Sequence, residues 1–331
     1  MGWVSGVRLT SATSAAGGLG VLAAATMTFQ ELEAAVEEMR QCTERPFGVN
    51  LRADQADIHE RIDLLTRQSV PIVSFANTPG ERLVKRLKDA GSLVMPTVGA
   101  VRHAEKCVQW GADILIAQGH EGGGHTGPVP TTLLLPAVAG AVDVPVVAAG
   151  GLYDGRGLVA ALAYGAAGVA MGTRFLLTEE STVPQAVKQV YLDTPVTGTV
   201  VTDAIDGYPQ RVIRTTAVDR MVRASRLTAL PTALMNAWRF RNLTKTSLRE
   251  LLREGRALRR SQELTWSQMA MAANAPMLTR AALVEGRMDS GILPTGQVLG
   301  NIDGLPTVKR VIDGIVGEAG EVLERLGAGA A

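Results

Sequence analysis

The residues that could do chemistry are concentrated in one glycine-rich stretch, residues 117–127, which contains His120, Glu121 and His125. Imidazole and carboxylate groups transfer protons near neutral pH, and they also bind metal ions. A helical zinc motif needs two histidines one turn apart, whereas His120 and His125 are separated by four residues, three of them glycine. The spacing therefore favours proton transfer over metal binding, and no metal site is expected.

The position of this stretch relative to a strand gives His125 a role. The apolar run 113–117 is short enough for a buried strand, and the glycines that follow it cannot sustain a helix. His125 is therefore expected on a loop at the carboxyl end of a strand, where α/β barrels build their active sites. Between Gly124 and Gly127, it is expected to be a mobile acid, base or hydrogen-bond donor. A purely structural histidine is the alternative.

Two further glycine loops follow the last two predicted strands, at residues 148–151 and 171–174. Barrel loops at these positions commonly bind phosphate through backbone N–H groups, and glycine lets that backbone approach the ligand closely. The two loops therefore predict a cofactor that carries phosphate. The alternative is that their glycines only form tight turns.

The elements that must position these loops alternate between strand and helix at about the length of one βα unit, which predicts a parallel sheet with helical crossovers. Seven strands are predicted, at residues 19–24, 46–51, 71–75, 93–98, 113–117, 144–149 and 167–171. We therefore expect an α/β fold of the TIM (β/α)8 type, whose first strand belongs upstream of Met1. An open doubly wound sheet is the alternative.

A dinucleotide-binding motif at residues 17–20 is disfavoured, because its glycines precede a strand instead of following one.

The regular alternation stops after Leu177. Residues 199–214 predict a β-hairpin with Asp206-Gly207 at its centre. Residues 216–287 have a helical and strongly basic pattern, and residues 307–326 predict an amphipathic closing helix. We assign residues 1–198 and 291–331 to the α/β barrel domain, and residues 199–290 to the hairpin and a C-terminal helical lid over the substrate.

The lid contains many arginines and few acids to balance them. Guanidinium groups bind phosphate with a fork of donors, so Arg239, Arg241 and Arg256 are expected to hold an anionic ligand such as a coenzyme A ester. A solvated helix face is the alternative. Nucleic acid is not expected, because few aromatic side chains lie between the charges.

Composition is typical of a large enzyme domain. The chain has 331 residues, of which 46% are hydrophobic, and a formal net charge of +1, so it can bury one large core and has no overall basic surface for nucleic acid. Its two cysteines, Cys42 and Cys107, do not form a disulfide or zinc pattern. No long apolar run predicts a membrane span and no signal peptide is evident, so a cytoplasmic protein is expected.

Several motifs are shared with a known family. They are Ala117-Gln118-Gly119-x-Glu121-x-Gly123-Gly124-His125-x-Gly127, Ala148-Ala149-Gly150-Gly151-x-x-Asp154-Gly155-Arg156-Gly157 and Met171-Gly172-Thr173-Arg174-Phe175, with further matches at residues 15–20, 47–50 and 296–297. Together they span nearly the whole chain and resemble the nitronate monooxygenase (2-nitropropane dioxygenase-like) family. That family consists of FMN-dependent TIM-barrel enzymes, so the resemblance implies FMN as the cofactor.

Within this family, the segments 2–4, 50–54, 122–127 and 264–268 are most similar to an actinobacterial branch of steroid-degrading flavin enzymes. Those enzymes act on a hydroxy-methyl-oxo-octahydroindene carboxyl-CoA, the remnant of steroid rings C and D, and introduce a carbon–carbon double bond beside the thioester. The resemblance therefore implies dehydrogenation of an acyl-CoA type. Nitronate oxidation with O2, flavin-dependent enoyl-thioester reduction and non-catalytic binding of a nucleotide or CoA ester are the alternatives.

The resemblance also implies roles for individual residues, with His125 as the candidate acid–base residue. Residues implied at the FMN phosphate are Gly150, Gly151, Gly172 and Thr173. Residues implied near the rest of the cofactor are Asn50 and Gln118 at the isoalloxazine or ribityl chain, Gly123 and Gly124 where the backbone must approach closely, and Gly2 and Gln297. The implied partners are the CoA-thioester substrate and an electron acceptor that the sequence does not identify, and a homodimer is a candidate assembly.

Overall fold

The computed structural model describes residues 1–223 and 274–328. At its centre lies a parallel sheet of seven strands, and each of them coincides with a predicted strand to within two residues. These strands are Gly20–Ala23 (β1), Phe47–Leu51 (β2), Ile72–Phe75 (β3), Leu93–Val98 (β4), Leu115–Gln118 (β5), Val146–Ala149 (β7) and Gly168–Ala170 (β8). A shorter strand between the fifth and sixth of these, Gly124–His125 (β6), belongs to a second sheet.

Helices connect successive strands of the parallel sheet and continue beyond it. They are Val7–Ala15 (α1), Phe29–Cys42 (α2), Ile58–Arg67 (α3), Glu81–Asp89 (α4), Val101–Gln109 (α5), Thr131–Ala139 (α6), Gly155–Ala163 (α7), Thr173–Leu176 (α8), Gln185–Leu192 (α9), Thr216–Arg223 (α10), Asn274–Leu283 (α11) and Val308–Ala328 (α12). The start of α2 shows the local logic: Thr28 Oγ1 accepts from the Glu31 N–H, and the Glu31 carboxylate accepts from the Thr28 N–H. Thr28 and Glu31 have the Thr-x-x-Glu spacing that is typical of a capping box.

The order of the strands distinguishes a barrel from a doubly wound sheet. A doubly wound sheet reverses its strand order at a switch point. Here the order is β1-β2-β3-β4-β5-β7-β8, so every strand is added on the same side of the one before it, as in a barrel. Within the described residues, no eighth parallel strand joins β8 to β1. All carboxyl ends of the strands therefore lie at one edge of the sheet.

Apolar side chains on the helix-covered face of the strands form much of the core. Val49, Leu51, Val73 and Phe75 in the neighbouring strands β2 and β3 are completely buried, as expected for strands covered by helices. The closing helix α12 packs on α7 at Gly155, where an added Cβ would lie 2.5 Å from Ala319 N. This glycine permits a contact between the two helices that no other residue would allow.

A second, antiparallel sheet lies beyond the parallel one. The predicted hairpin is present as Thr199–Thr202 (β9) and Gln210–Ile213 (β10), and β6 pairs with β10, giving the order β6-β10-β9. Beneath the hairpin, the buried side chains of Ile205, Val212 and Ile292 pack with residues of α10 and α11. The hairpin is therefore tied both to the glycine-rich stretch and to the chain that follows residue 273.

No helix in the described part of the chain is long and apolar enough to cross a membrane. Most of the predicted basic lid, including Arg239, Arg241 and Arg256, lies outside the described residues. The assignment of residues 199–290 to a separate lid therefore stays a prediction.

Candidate functional site

The carboxyl ends of the parallel strands carry the polar residues that the sequence analysis selected. Asn50 is the penultimate residue of β2. Its Nδ2 donates to Ser74 Oγ of β3 at 3.0 Å. Gln118 ends β5, and its Nε2 donates to the backbone carbonyl of His125 at 2.8 Å. Both side chains are therefore held at the edge where the glycine loops lie, and Gln118 orients the segment that bears the histidine.

The two histidines of the glycine-rich stretch have different surroundings. His120 is half-buried, its Nδ1 lies 2.8 Å from the Gly127 carbonyl, and its backbone N–H donates to Val129 O. Thr126 Oγ1 lies within hydrogen-bond distance of the carbonyls of Gly119 and His120. These contacts make His120 part of the internal structure of the stretch. His125 is left as the exposed imidazole of the two.

His125 lies in a short strand instead of the irregular loop that its glycine neighbours predicted. It stands opposite Gln210 of β10, and Gly124 stands opposite Arg211. Gly124 has φ +68, a value that glycine adopts easily, and space around it is open. Glycine content indicated a loop because it opposes regular structure, but the distant hairpin supplies the hydrogen-bond partners that make the strand.

Asp206 of the hairpin is the partner of the His125 ring. The Nε2 atom of His125 lies 2.7 Å from Asp206 Oδ2, and the two side chains are 60% and 4% exposed. The ring of Tyr208 stands edge-on to the imidazole, with centroids 6.0 Å apart. Burial raises the pKa of the Tyr208 phenol. The negative charges of Asp206 and Asp54 raise it further, whereas the positive charge of Arg52 lowers it. His125 thus combines an accessible ring with a buried carboxylate behind it.

Glu121 joins the loops that follow β5 and β7. Its Oε2 accepts from the Thr131 N–H at 2.9 Å and lies 2.8 Å from Thr131 Oγ1, which is also 3.0 Å from the Gly150 carbonyl. The carbonyl of Glu121 accepts from the Gln297 N–H at 2.9 Å. Glu121 therefore has a supporting role, and Gln297 is brought to the glycine-rich stretch through its backbone.

The loops after β7 and β8 contain free donors suited to a phosphate group. These strands are neighbours, with Ala149 opposite Ala170. Gly150 and Gly151 have φ +103 and +74, a sequence of left-handed conformations that strongly favours glycine. The backbone N–H groups of Gly151, Gly172 and Thr173 donate to no acceptor in the described part of the chain. The four residues expected at the FMN phosphate therefore include three available donors on adjacent loops.

Gly123 lies against a segment that is distant in the sequence. An added Cβ would lie 2.5 Å from the carbonyl carbon of Thr295 and 2.6 Å from Gly296 N. The Gly296 N–H in turn donates to Thr173 Oγ1 at 2.8 Å. Close approach at Gly123 is thus made by the chain's own segment 295–296, which also contacts the loop after β8. By contrast, the space that a Cβ on Gly124 would occupy is open.

The first residues of the chain lie at the same edge. A Cβ on Gly172 would be 3.3 Å from Met1 Sδ, and one on Gly2 would be 3.1 Å from Thr26 Cγ2. Trp3 has φ +64, its Nε1 donates to Pro276 O at 3.1 Å, and the guanidinium of Arg280 lies 5.2 Å from its ring centroid. The structure thus brings the region of Gly2 next to the Gly172 loop.

Three supporting residues were not selected from the sequence. Asp206 was noted only as a turn residue, Arg211 lay within the predicted hairpin without a role, and Thr131 was not noted. Arg211 is 4% exposed, and its Nη2 donates to the carbonyl of His120 at 3.2 Å. Burial lowers the pKa of this guanidinium, and Glu121 opposes that effect. For Arg211, the available signal was a charged residue next to the apolar pair Val212-Ile213 in a predicted strand.

The described residues contain no group of three or more His, Cys, Asp or Glu side chains that could hold a metal ion.

Comparison with known proteins then gives a family match. The model of the family described as "Nitronate monooxygenase" matches residues 1–64 and 55–318. These two overlapping ranges include both the parallel sheet and the hairpin.

Two curated relatives cover almost the whole chain. A Mycobacterium tuberculosis protein is 55% identical over 322 residues, which are 96% of this chain and 91% of the relative. A Rhodococcus jostii protein is 54% identical over 328 residues, which are 99% of this chain and 93% of the relative. Both are named (3aS,4S,5R,7aS)-5-hydroxy-7a-methyl-1-oxo-octahydro-1H-indene-4-carboxyl-CoA dehydrogenase. A probable nitronate monooxygenase of Staphylococcus aureus is 31% identical over 65% of this chain and 73% of its own.

Solved structures match the fold over nearly the full length. FabK from Thermotoga maritima has a TM-score of 0.78 and 33% identity, with 99% of this chain and 93% of FabK covered. Nitroalkane oxidase from Streptomyces ansochromogenes has a TM-score of 0.76 and 27% identity, with 98% and 95% covered. These are TIM-barrel flavoenzymes, so the expected barrel class is confirmed and a flavin is the cofactor class of this site.

Proposed function

The chain belongs to the nitronate monooxygenase family of flavin enzymes, and from this premise we propose that it is an FMN-dependent dehydrogenase of a bicyclic, steroid-derived acyl-CoA. In the proposed reaction, a carbon–carbon double bond forms next to the thioester. The substrate loses a proton from its α-carbon and a hydride from its β-carbon. The proposal places the enzyme in the breakdown of steroid rings C and D, in the cytoplasm.

The observation that carries this proposal is the difference in identity between two groups of relatives. The two named CoA-ester dehydrogenases are 55% and 54% identical and align over 96% and 99% of the chain. The nitronate monooxygenases are 30–32% identical and align over 65% of it. The larger identity extends through the hairpin and the segment of Arg239, Arg241 and Arg256, which we propose to bind the phosphates of CoA.

The loops after β7 and β8 fit the phosphate of FMN. Gly151, Gly172 and Thr173 offer backbone N–H groups without an acceptor in the described ranges, and the left-handed conformation of Gly150 turns the chain between them. We propose that Asn50 and Gln118, at the carboxyl ends of β2 and β5, contact the ring or ribityl portion, and that Gly2, Gly124 and Gln297 border it. A bound flavin supplies the acceptor for the hydride and is reoxidised by an external electron acceptor.

His125 is the proposed base that removes the α-proton. Its ring is exposed, while the buried carboxylate of Asp206 behind it can stabilise the positive charge that the imidazole gains. An α-proton is acidic enough for such a base only when the thioester carbonyl is polarised, so hydrogen-bond donors to that oxygen are also required. Backbone N–H groups of the glycine-rich stretch are the proposed donors.

The test is an anaerobic flavin-reduction experiment. Purified protein reconstituted with FMN is mixed with the bicyclic CoA thioester in the absence of O2, and the visible flavin spectrum is recorded. Bleaching with formation of the unsaturated thioester supports the proposal, and His125→Gln is expected to slow it by about 10²- to 10⁴-fold. An unchanged flavin spectrum with this substrate would contradict the proposal.

Nitronate oxidation is the second candidate, because the family model and the Staphylococcus relatives carry that name. It predicts O2 consumption with an alkyl nitronate and no anaerobic bleaching by the CoA thioester. Flavin-dependent enoyl-thioester reduction predicts instead that NAD(P)H bleaches the flavin rapidly. One flavin-containing preparation therefore distinguishes all three reactions.

A further inference from the structure

We propose that Asp206 is a positioning residue that fixes the tautomer of His125, with the proton on Nε2 and the lone pair on Nδ1. This inference rests on the proposed role of His125 as a base, and it names the ring atom that performs it. It also makes the β9–β10 hairpin, which lies outside the parallel sheet, a part of the acid–base machinery.

The chemistry of the contact determines the tautomer. An ionised carboxylate has only acceptor atoms, so the ring nitrogen 2.7 Å from Asp206 Oδ2 must carry a hydrogen. That nitrogen is Nε2 of His125. A neutral imidazole has one N–H and one acceptor nitrogen, which leaves Nδ1 free to accept a proton. Without Asp206, neither tautomer would be selected by this contact.

Asp206 can perform this task because its own position is fixed. Its side chain is 4% exposed, and Oδ1 accepts from the Tyr208 N–H at 3.2 Å. The turn before it is closed by the Gly207 N–H, which donates to Asp203 O at 2.8 Å. The two carboxylate oxygens therefore have different partners, one within the hairpin and one across to the imidazole.

The pairing of β6 with β10 fixes the position of His125, the partner of Asp206. His125 stands directly opposite Gln210, four residues after Asp206 in the chain, and Gln118 Nε2 holds the carbonyl of His125. The Tyr208 ring lies edge-on to the imidazole. Backbone and ring are thus constrained independently, so Asp206 acts on the ring tautomer without being needed to place the strand.

The decisive variant is Asp206→Asn, because an amide preserves the shape and one of the two contacts. Its Oδ1 can still accept from the Tyr208 N–H, while its NH2 group presents a donor to Nε2 of His125. This arrangement favours the opposite tautomer, with the hydrogen on Nδ1. Asp203→Asn is the matched control, because Asp203 is exposed in the same hairpin turn and the change in charge is identical.

The first measurement is the ¹⁵N chemical shifts of the imidazole nitrogens at a pH where the ring is neutral. The chain has four histidines, and loss of signals in His125→Gln assigns those of His125. We expect the Nε2–H tautomer in the unmodified protein and in Asp203→Asn, and a shift to Nδ1–H in Asp206→Asn. An Nδ1–H tautomer in the unmodified protein, or no change in Asp206→Asn, would overturn the inference.

The second measurement is single-turnover flavin reduction by the CoA thioester. Asp206→Asn is expected to reduce its limiting rate by about 10²- to 10⁴-fold, as expected for a base in the wrong tautomer, with substrate affinity nearly unchanged. A tautomer change without a change in rate would support the role of Asp206 and contradict the role proposed for His125. Equal thermal unfolding of Asp206→Asn and Asp203→Asn is the check that the hairpin remains folded.

Discussion

At the scale of single residues, Glu121 and Thr131 show that a polar group near a site can serve the loops themselves. Thr131 is buried, and its one hydroxyl proton has two acceptors within reach, Glu121 Oε2 and the Gly150 carbonyl. Its backbone N–H also donates to Glu121. The three residues therefore connect the glycine-rich stretch, the start of α6 and the loop proposed to hold the phosphate.

Thr131→Val tests this connection. Valine keeps the shape of the side chain but removes the hydroxyl, so Glu121 Oε2 and the Gly150 carbonyl lose the one hydroxyl proton that lies within reach of both. We expect the free energy of unfolding to fall by about 1–3 kcal/mol and flavin to be retained less well. Chemical denaturation and the flavin content after gel filtration measure the two effects. Thr132→Val is the control, because Thr132 is exposed; equal effects of the two variants would refute the role of the hydroxyl.

The sequence predicted some of these residues and not others for a physical reason. His125 was selected because its surroundings in the chain are unusual, and local sequence contains that information. Asp206 is 81 residues away along the chain, so its contact with His125 depends on how two sheets meet. Gly123 was expected to let a ligand approach, and its close contact with segment 295–296 was not foreseen. Contacts between distant segments cannot be read from local spacing.

At the scale of elements, the contact between α7 and α12 depends on the absence of a side chain at Gly155. An added Cβ on Gly155 would be 2.5 Å from Ala319 N and 2.6 Å from Ile315 O. The Gly155 N–H donates to Glu318 Oε2 at 2.7 Å, so the closing helix also caps the start of α7. Helix packing thus explains the glycine at position 155 of the Asp154-Gly155-Arg156-Gly157 motif.

Gly155→Ala is therefore expected to destabilise the protein. The added methyl group has no space, and overpacking of this kind costs about 1–3 kcal/mol. Gly317→Ala, in an exposed part of α12 with open space around it, should instead raise the free energy of unfolding by about 0.5–1 kcal/mol, because alanine favours the helix. Denaturation curves of the two variants should move in opposite directions. A loss of stability in both would contradict this explanation.

Elements with a strong local pattern were predicted accurately. The strands of the parallel sheet are continuous apolar runs between turn residues, and the hairpin has Asp-Gly at its turn. Strand β6 was missed because it has two residues, one of them glycine, and exists only through its pairing with β10. Local propensity identifies an element that would form in many contexts, but not one created by its partner.

At the scale of the whole molecule, the two cysteines report on the integrity of the fold. Cys42 is exposed, whereas Cys107 is completely buried between α5 and the sheet. Burial raises the pKa of the Cys107 thiol to about 11, and Lys106 opposes this effect. Because the thiolate is the reactive form, Cys107 combines a low thiolate fraction with no access for reagents.

We expect one thiol to react rapidly with a colorimetric thiol reagent in the native protein and two to react in denaturant. The slow thiol should be Cys107. Its rate of reaction with the reagent should depend on how often the helical layer over the sheet opens. Cys42→Ser should abolish the rapid reaction, whereas Cys107→Ser should leave it unchanged. Rapid reaction of both thiols in the native protein would show that α5 does not cover the sheet as described.

The segment 295–297 has a consequence for how the enzyme is made. Gly296 donates to Thr173 Oγ1, and Gln297 donates to the carbonyl of Glu121, so both glycine loops are fastened by residues that follow all seven parallel strands in the chain. During synthesis the parallel strands leave the ribosome long before these residues do. A nascent chain can therefore form its sheet before the two glycine loops are fastened, so flavin is expected to bind stably only after residue 297 has left the ribosome.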